Sequence, residues 1–593
     1  MVAPGILERA REGITSTLRR LIPDEPQHML VVTIVTGLAC GLVAVAFHLA
    51  IQVAERRLVG GALAREGWQR LALLVLSPAA GGLVAGALLA WVVPGARGSG
   101  IPQVKQVYAL GDGRVPVRDA LGKFVVGTLQ IGSGASLGRE GPTVQICAGA
   151  STLIARLTAL PARNMRRLLP VASAAGIAAA FNAPIAAVTF TIEEIVGSLD
   201  QSVLSGAVVA AALAAVIERS VLGVHPVIEA PQGFGLDHAS SFAFFALLGV
   251  LAAGVSVAFT DGLLELRLRF RRQRLIPPWA QPSVGGLVTG LLAAVVMLGL
   301  GVTGVNGGGY EMLGPALEGR LALGALLTLC VTKLAATVFS YSSGGAGGIF
   351  MPALFVGAML GGAVGHLDVS ALAHEPRQLG AFALVGMGAV FAGVIRAPIT
   401  SVLIIFEMTG AYGLILPLML ANVTAFVLAR RARPTPIYEA LLEQDGVVLP
   451  RPAPHRVELE HPSRGPLAKD LARPLVEVPA GTSVADALDR LAGGGGVLVR
   501  PGNGVLLALP VEDLRAIAAQ MPLALVKEEA EAYPEAGPGL DVSELVTRLV
   551  EDEVDAILVT DPSGAVHGLI TRAELAAELL EHHARGHPRT SPR

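Results

Sequence analysis

Long apolar runs dominate the chain up to about residue 445, and an ordinary mixture of polar and apolar residues follows. Residues 30–50 and 71–93 are typical of these runs. About 20 consecutive apolar residues are enough for a helix to cross the hydrocarbon layer of a bilayer. The pattern therefore predicts an all-α, polytopic membrane domain, followed by a soluble tail.

Composition strengthens the membrane prediction and indicates irregular helices. The 593 residues are 52% apolar and only 16% charged, whereas soluble proteins carry about 25% charged residues. The net charge of -2 gives no reason to expect a nucleic acid partner. Seventy-one glycines and 38 prolines predict many broken or re-entrant helices, which transporters use near the membrane midplane. This composition favours ion or solute movement over a receptor or a simple anchor.

The remaining compositional signals concern targeting and redox chemistry. Residues 1–29 have no apolar signal core and are predicted to form an amphipathic, basic helix at the cytoplasmic face. The three cysteines lie inside apolar runs, with spacing that suits neither a disulfide framework nor a metal site. We expect an integral, multi-pass protein of a bacterial inner membrane, with both termini cytoplasmic and no metal.

An internal repeat is visible within the apolar region. GGLVAGALL at Gly81 matches GGLVTGLLA at Gly285, 204 residues later. GREGP (138–142) aligns with GIFMP (348–352) at a separation of 210, and NAPI (182–185) aligns with RAPI (396–399) at 214. Separations that rise slowly and in order are what two diverged copies with small insertions should give.

Basic residues suggest that the two copies run in opposite directions across the membrane. Arginines at 9–20 precede the first span of copy one, whereas residues 266–274 (LRLRFRRQR) follow the first span of copy two. If both clusters are cytoplasmic, the repeat is inverted. The prediction is a membrane domain over 30–445, with repeats at about 30–220 and 240–430 and a final helix at 434–445.

The two copies differ in their carboxylates. Glu140 aligns with Phe350, and Glu194 aligns with Met408. A scaffold would be shared by both copies, whereas intramembrane ionisable groups in one copy are candidates for function. Glu193 and Glu407 are shared, and we interpret them as scaffold or water-organising groups.

Three glycine-bounded motifs suggest an anion site. GSGIP (98–102), GREGP and GIFMP each join a flexible turn to the start of an apolar helix. Glycine lets backbone amides point into a cavity, and a helix N-terminus adds a partial positive charge. Several such ends meeting at one point would bind an anion without a full positive charge, and the Ser99 hydroxyl would add a donor.

These motifs, in this order, resemble the CLC chloride channel and transporter family, and PIYEALL (436–442) is similar to the final helix that brings a tyrosine to its pore. The resemblance covers roughly residues 30–445 and implies a homodimer. It implies that Ser99, Tyr438 and the amides of Ile349 and Phe350 bind a central chloride. An outer site would use the amides at Arg139, Glu140 and Gly141.

The resemblance also implies roles for the two unshared carboxylates. Glu140 matches the gating glutamate, whose carboxylate competes with chloride and leaves when protonated. Glu194 matches the internal proton-transfer glutamate of the family's exchangers, which favours H⁺/Cl⁻ antiport. The alternative is a passive, voltage- or pH-gated chloride channel of the same fold.

Several of these residues also have simpler, structural interpretations. Tyr438 outside its motif would be an interfacial anchor, and Lys123 would be a snorkelling lysine, although it matches a buried lysine of the family. We expect Arg139 to be structural, paired with a carboxylate or capping backbone carbonyls. No nucleophile triad, HExxH or P-loop is found in the sequence, so we do not expect an enzyme.

The tail, after a linker at 446–462, resembles a pair of cystathionine-β-synthase (CBS) domains over 463–585, with a disordered end at 586–593. Residues 541–580 are the clearer copy, and 483–514 are a degenerate one. Many CBS pairs bind adenine nucleotides. Of the usual nucleotide-contacting residues, one copy keeps only Thr571 and the other keeps only Asp513. A structural role is preferred over nucleotide binding. A nucleotide sensor with a mere membrane anchor is a further alternative, which the intact anion motifs disfavour.

Overall fold

The computed structural model describes residues 25–111, 113–158, 160, 162–198, 201–223, 238–375, 378–449, 467–491, 494–501, 506–540, 542–551 and 554–575. The predicted N-terminal helix, the linker and the terminal segment 586–593 lie wholly or largely outside these residues. The chain divides near residue 452 into two compact units.

The first unit is built from helices of very unequal length. In chain order they are α1 (Glu25–Leu63), α2 (Gly67–Trp91), α3 (Ile101–Leu110), α4 (Val117–Gly132), α5 (Glu140–Leu157), α6 (Ala162–Phe181), α7 (Pro184–Phe190), α8 (Gln201–Leu222), α9 (Ser241–Arg272), α10 (Gln281–Leu300), α11 (Tyr310–Leu317), α12 (Leu323–Ser342), α13 (Phe350–Leu372), α14 (Gln378–Ile395), α15 (Pro398–Thr409), α16 (Ile415–Ala432) and α17 (Ile437–Gln444). A π-helical turn, Thr191–Val196, follows α7.

Within the described ranges, nine helices are long and apolar enough to cross a membrane. Helices as short as α3, α7, α11 and α17 cannot cross the bilayer, since a helix rises only about 1.5 Å per residue. The predicted all-α polytopic fold with broken helices is thus confirmed.

Contacts between the two copies of the repeat are reciprocal. Gly138 and Gly348 exchange backbone hydrogen bonds, both 2.7 Å long, in an antiparallel bridge. A Cβ on Gly82 would lie 2.3 Å from the Pro282 oxygen, and one on Gly286 would lie 2.0 Å from the Pro78 oxygen. Mutual contacts between equivalent residues are what a two-fold relation between the copies requires.

The shared carboxylates follow the same reciprocity. Glu407 accepts hydrogen bonds from the amides of Ile185 (3.0 Å) and Ala186 (2.7 Å) at the start of α7. Glu193 accepts from the amides of Ile399 (3.1 Å) and Thr400 (2.8 Å) at the start of α15. Each carboxylate therefore satisfies the unpaired N–H groups at the beginning of a helix in the opposite copy. This geometry agrees with the scaffold interpretation of both residues.

The second unit contains two three-stranded sheets, each joining one parallel and one antiparallel pair. The strands are β1 (Leu475–Glu477), β2 (Gly496–Val499) and β3 (Leu507–Pro510) in one sheet, and β4 (Glu535–Ala536), β5 (Ala556–Thr560) and β6 (Val566–Thr571) in the other. The helices are α18 (Ala468–Leu471), α19 (Val484–Asp489), α20 (Val511–Gln520), α21 (Val526–Glu529) and α22 (Val542–Glu551).

The two halves of this unit also interlock. Arg473, which precedes β1, pairs with Leu569 of β6, and Ala508 of β3 pairs with Glu531, which precedes β4. Buried faces such as Val497 and Val499 of β2 pack on their own helices. The tail is therefore an α/β unit with two similar halves, as its sequence pattern predicts.

Candidate functional site: converging helix ends and buried carboxylates

The three glycine motifs each end at a helix N-terminus, and the starts of α3 and α5 touch. α3 begins at Ile101, α5 at Glu140 and α13 at Phe350. Gly100 has a φ of 105°, and a Cβ there would lie 2.5 Å from the Gly141 carbonyl oxygen. A Cβ on Gly141 would lie 2.3 Å from Ser99 Oγ. Only glycine permits both this backbone conformation and this close approach.

Ser99 and Tyr438 bring two unpaired hydroxyls to these helix ends. Both residues are fully buried, and the Tyr438 hydroxyl lies close to the Ser99 side chain. Among the described residues neither hydroxyl has a partner at hydrogen-bonding geometry. A buried polar group without a partner costs about 1–3 kcal/mol, so two donors beside helix N-termini form a place where an anion would be favoured.

Ile349 and Phe350 form the end of the second-copy motif. Both are fully buried. The Phe350 ring packs against Phe181, Phe190 and Phe391, with centroid distances of 4.7, 5.5 and 4.3 Å. Copy two thus has an aromatic cluster where copy one has the carboxylate of Glu140.

Glu140 is fully buried at the first residue of α5. Its Oε1 accepts a hydrogen bond of 2.7 Å from the Tyr310 hydroxyl. Its Oε2 lies over Gly138, 2.3 Å from where a Cβ would be, and has no hydrogen-bond partner among the described residues. One oxygen is therefore held, and the other faces the backbone of its own anion motif.

Arg139 contributes its guanidinium to the surroundings of Tyr310. Its Nη2 donates to the Ala180 carbonyl oxygen at 3.3 Å, and its guanidinium lies 5.2 Å from the Tyr310 ring centroid. Of the two expectations for Arg139, the geometry favours the carbonyl-capping one. A cavity of about 480 Å³, lined by Arg139 and Tyr310 together with His48, Glu55 and Glu218, opens beside them.

Glu194 lies in the π-helical turn and is also buried. Its Oε1 accepts a hydrogen bond of 2.8 Å from Lys105 Nζ, and the same ammonium donates to Glu439 Oε1 at 3.0 Å. Tyr438 and Glu439 are adjacent on α17. The two unshared carboxylates are thus held by different partners, Glu140 by a tyrosine and Glu194 by a lysine.

Lys123 is not a snorkelling residue, because its side chain is fully buried. Its Nζ donates to the Gly98 carbonyl oxygen at 2.7 Å. Lys333, 210 residues later, is also buried and donates to the Gly307 carbonyl oxygen at 2.7 Å. Both lysines therefore stabilise loop carbonyls in equivalent places.

Tyr310, Lys105 and Glu439 were missed by sequence reasoning. Tyr310 follows the glycine run at 307–309 and does not belong to any of the motifs. Lys105 and Glu439 lie inside or next to motifs, but the ion pair that joins them bridges 334 residues. A charged side chain within an apolar run was the available signal, and Lys105 in GSGIPQVK carries it.

In the tail, the two residues that the CBS resemblance selects have different surroundings. Asp513 lines a cavity of about 480 Å³ together with Glu529, Glu531 and Asp555. The Thr571 amide donates to Glu574 Oε2 at 2.9 Å, and the Glu574 amide donates to Thr571 Oγ1 at 3.3 Å. Thr571 is thus engaged in a reciprocal helix cap, and the cavity at Asp513 is acidic.

Comparisons with known proteins place this chain in a family. The profile described as "Voltage gated chloride channel" matches residues 81–430. The chain is 34% identical to a putative chloride channel protein ClcB-like of Ralstonia nicotianae, over 70% of this chain and 97% of the relative. It is 33% identical to the H(+)/Cl(-) exchange transporter ClcA of Salmonella arizonae, over 73% and 92%.

Similarity to solved structures agrees with these sequence matches. A slow cyanobacterial Cl⁻/H⁺ antiporter superposes with a TM-score of 0.63 at 27% identity, covering 70% of this chain and 98% of that one. A eukaryotic CLC transporter gives a TM-score of 0.60 at 20% identity, covering 92% of this chain and 98% of that one, which supports the fold alone. The chain belongs to the voltage-gated chloride channel (CLC) family.

Proposed function

We propose that this protein is a proton-coupled chloride antiporter. The observation that carries the proposal is the position of Glu140, a buried carboxylate at a helix N-terminus within the anion motifs. A carboxylate there competes with chloride for the same amide donors, so protonation of one group links the two ions. Relatives named as H⁺/Cl⁻ exchangers support the same function.

Chloride would be bound without a full positive charge. The hydroxyls of Ser99 and Tyr438 and the amides of Ile349 and Phe350 would replace its water at a central site. Amides at Arg139, Glu140 and Gly141 would do so at an outer site. Partial charges bind a dehydrated anion less tightly than a lysine or arginine would, which allows its release.

On the cytoplasmic side, protons would follow a route separate from the chloride pathway. Glu140 would take up a proton as it leaves the outer site, and Glu194 would exchange protons with the opposite side. Arg267 and Arg271, which belong to the basic cluster at the C-terminal end of α9, pair with Asp445 just beyond α17. Since α17 also carries Glu439, the Lys105 partner, we place Glu194 towards the basic, cytoplasmic end.

A passive chloride channel is the second candidate. It would use the same anion site, with Glu140 as a gate and no net proton movement. The buried Glu194, which has no counterpart at Met408 in the other copy, favours the exchanger.

Paired flux measurements distinguish the two candidates. We expect that purified protein in liposomes drives protons uphill when a chloride gradient is imposed. Glu140→Ala should keep chloride flux and lose proton movement, because the competing, protonatable anion is gone. A wild-type protein that moves chloride but no protons would support the channel, and proton pumping by Glu140→Ala would contradict the gate assignment.

Tyr310→Phe tests how the gate is held. The variant removes the hydroxyl that donates to Glu140 Oε1, and a hydrogen bond to a charged group contributes about 1.5–3 kcal/mol. The carboxylate should leave its site more readily, so we expect chloride efflux from liposomes to rise several-fold at neutral pH. Tyr412→Phe, at an exposed tyrosine, is the matched control. Equal efflux for wild type and Tyr310→Phe would show that this bond does not restrain the gate.

We propose that the tail is a CBS pair with a structural role. Four carboxylates around the cavity at Asp513 would repel a nucleotide phosphate, and the Thr571 hydroxyl already serves a helix cap. Calorimetric titration of the full-length protein with ATP should therefore show no saturable binding. Saturable ATP binding that disappears in Asp513→Ala would refute this proposal.

We also propose a homodimer in a bacterial inner membrane with both termini cytoplasmic. Each subunit would hold its own chloride pathway. The mass of the detergent-solubilised protein, corrected for bound detergent, should equal that of two chains, and a monomer mass would rule the dimer out.

A further inference from the structure

Lys105 joins two carboxylates from separate elements at a single point. Its Nζ donates to Glu194 Oε1 at 2.8 Å and to Glu439 Oε1 at 3.0 Å. Lys105 comes from α3, Glu194 from the π-helical turn and Glu439 from α17. We name these three residues the internal triad.

The internal triad carries an uncompensated charge when fully ionised. One ammonium faces two carboxylates, which leaves one negative charge. The Glu194 side chain is 4% exposed and that of Lys105 is 13% exposed, whereas Glu439 is 38% exposed. An uncompensated buried charge is costly, and uptake of one proton removes it. The partly exposed Glu439 gives the triad contact with the surroundings from which that proton would come.

Glu193, the charged neighbour of Glu194 in sequence, is already engaged. Glu193 accepts from the Thr400 amide and hydroxyl, at 2.8 and 2.7 Å. The Tyr438 hydroxyl belongs to the anion site, but Tyr438 immediately precedes Glu439 on α17. A proposed chloride ligand and a member of the internal triad therefore occupy adjacent positions on one short helix.

We propose that Lys105 and Glu439 are positioning residues that make the internal triad, rather than Glu194 alone, the internal proton-binding unit. This inference rests on the proposed exchange function. With Glu194 ionised, Lys105 bridges both carboxylates. When Glu194 takes up a proton on a carboxylate oxygen, the ammonium keeps Glu439 as its ionic partner. One proton enters, one O–H bond forms, and the triad passes from one negative charge to none.

Removing Glu439 and removing Lys105 should shift the pH dependence of proton transport in opposite directions. In Glu439→Gln, Lys105 and ionised Glu194 form a neutral pair. Protonation of Glu194 would then leave the Lys105 ammonium without an ionic partner. In Lys105→Met, two carboxylates face each other and hold one proton tightly. An opposite or like charge at this distance shifts proton binding by about 1 pH unit or more. We expect the pH of half-maximal proton flux to fall by about 1 unit in Glu439→Gln and to rise by about 1 unit in Lys105→Met.

The experiment measures proton and chloride flux in liposomes of full-length protein across a pH series. Glu443→Gln, an exposed glutamate one turn further along α17, is the matched control and should keep the wild-type midpoint. Lys105→Arg, which retains the charge, should return the midpoint towards wild type. Chloride flux in each sample shows that the protein is folded. If one of the two variants does not fold, the direction in which the other shifts the midpoint tests the proposal.

Two results separate this inference from the function on which it rests. A wild-type protein that moves no protons overturns both the exchanger and the triad. A proton-coupled wild type whose midpoint is unmoved by Glu439→Gln and Lys105→Met, or is moved in the same direction by both, overturns the triad and leaves the exchanger standing.

Discussion

The pair of hydrogen bonds between Gly138 and Gly348 is the constraint on which the rest of the site depends. These two bonds, each 2.7 Å, hold the anion motifs of the two copies side by side. The starts of α5 and α13 are thereby brought together, and their unpaired amides share one region. In a medium with little water, such pre-arranged donors are what makes a dehydrated anion tolerable.

Two equivalent helix ends form the candidate site, and we propose that the differences between the copies supply its chemistry. Phe350 completes an aromatic cluster, whereas Glu140, its counterpart, places an ionisable oxygen over Gly138. The same division is seen further along the chain, where Glu193 and Glu407 cap helices reciprocally and only copy one has Glu194 next in sequence. Shared residues build the frame, and we propose that the unshared carboxylates couple proton and anion.

Much of this arrangement could be predicted from sequence because it is local or repeated. A glycine motif before an apolar run fixes where α5 begins, and the alignment of Gly138 with Gly348 predicts that their loops are equivalent. The partners of the carboxylates could not be predicted. Tyr310 reaches Glu140 across 170 residues, and Lys105 reaches Glu439 across 334, and no periodicity records such contacts. The tail's paired halves were visible as alternating strands and helices, but the acidic cavity at Asp513 requires residues from several elements.

We propose that chloride and the Glu140 carboxylate compete for one set of donors, so chloride binding should be accompanied by proton uptake. Calorimetric chloride titrations in buffers of different ionisation enthalpy measure that uptake directly. We predict fractional proton uptake on chloride binding in the wild type and none in Glu140→Gln. Chloride binding by the wild type with heats that do not depend on the buffer would contradict this competition.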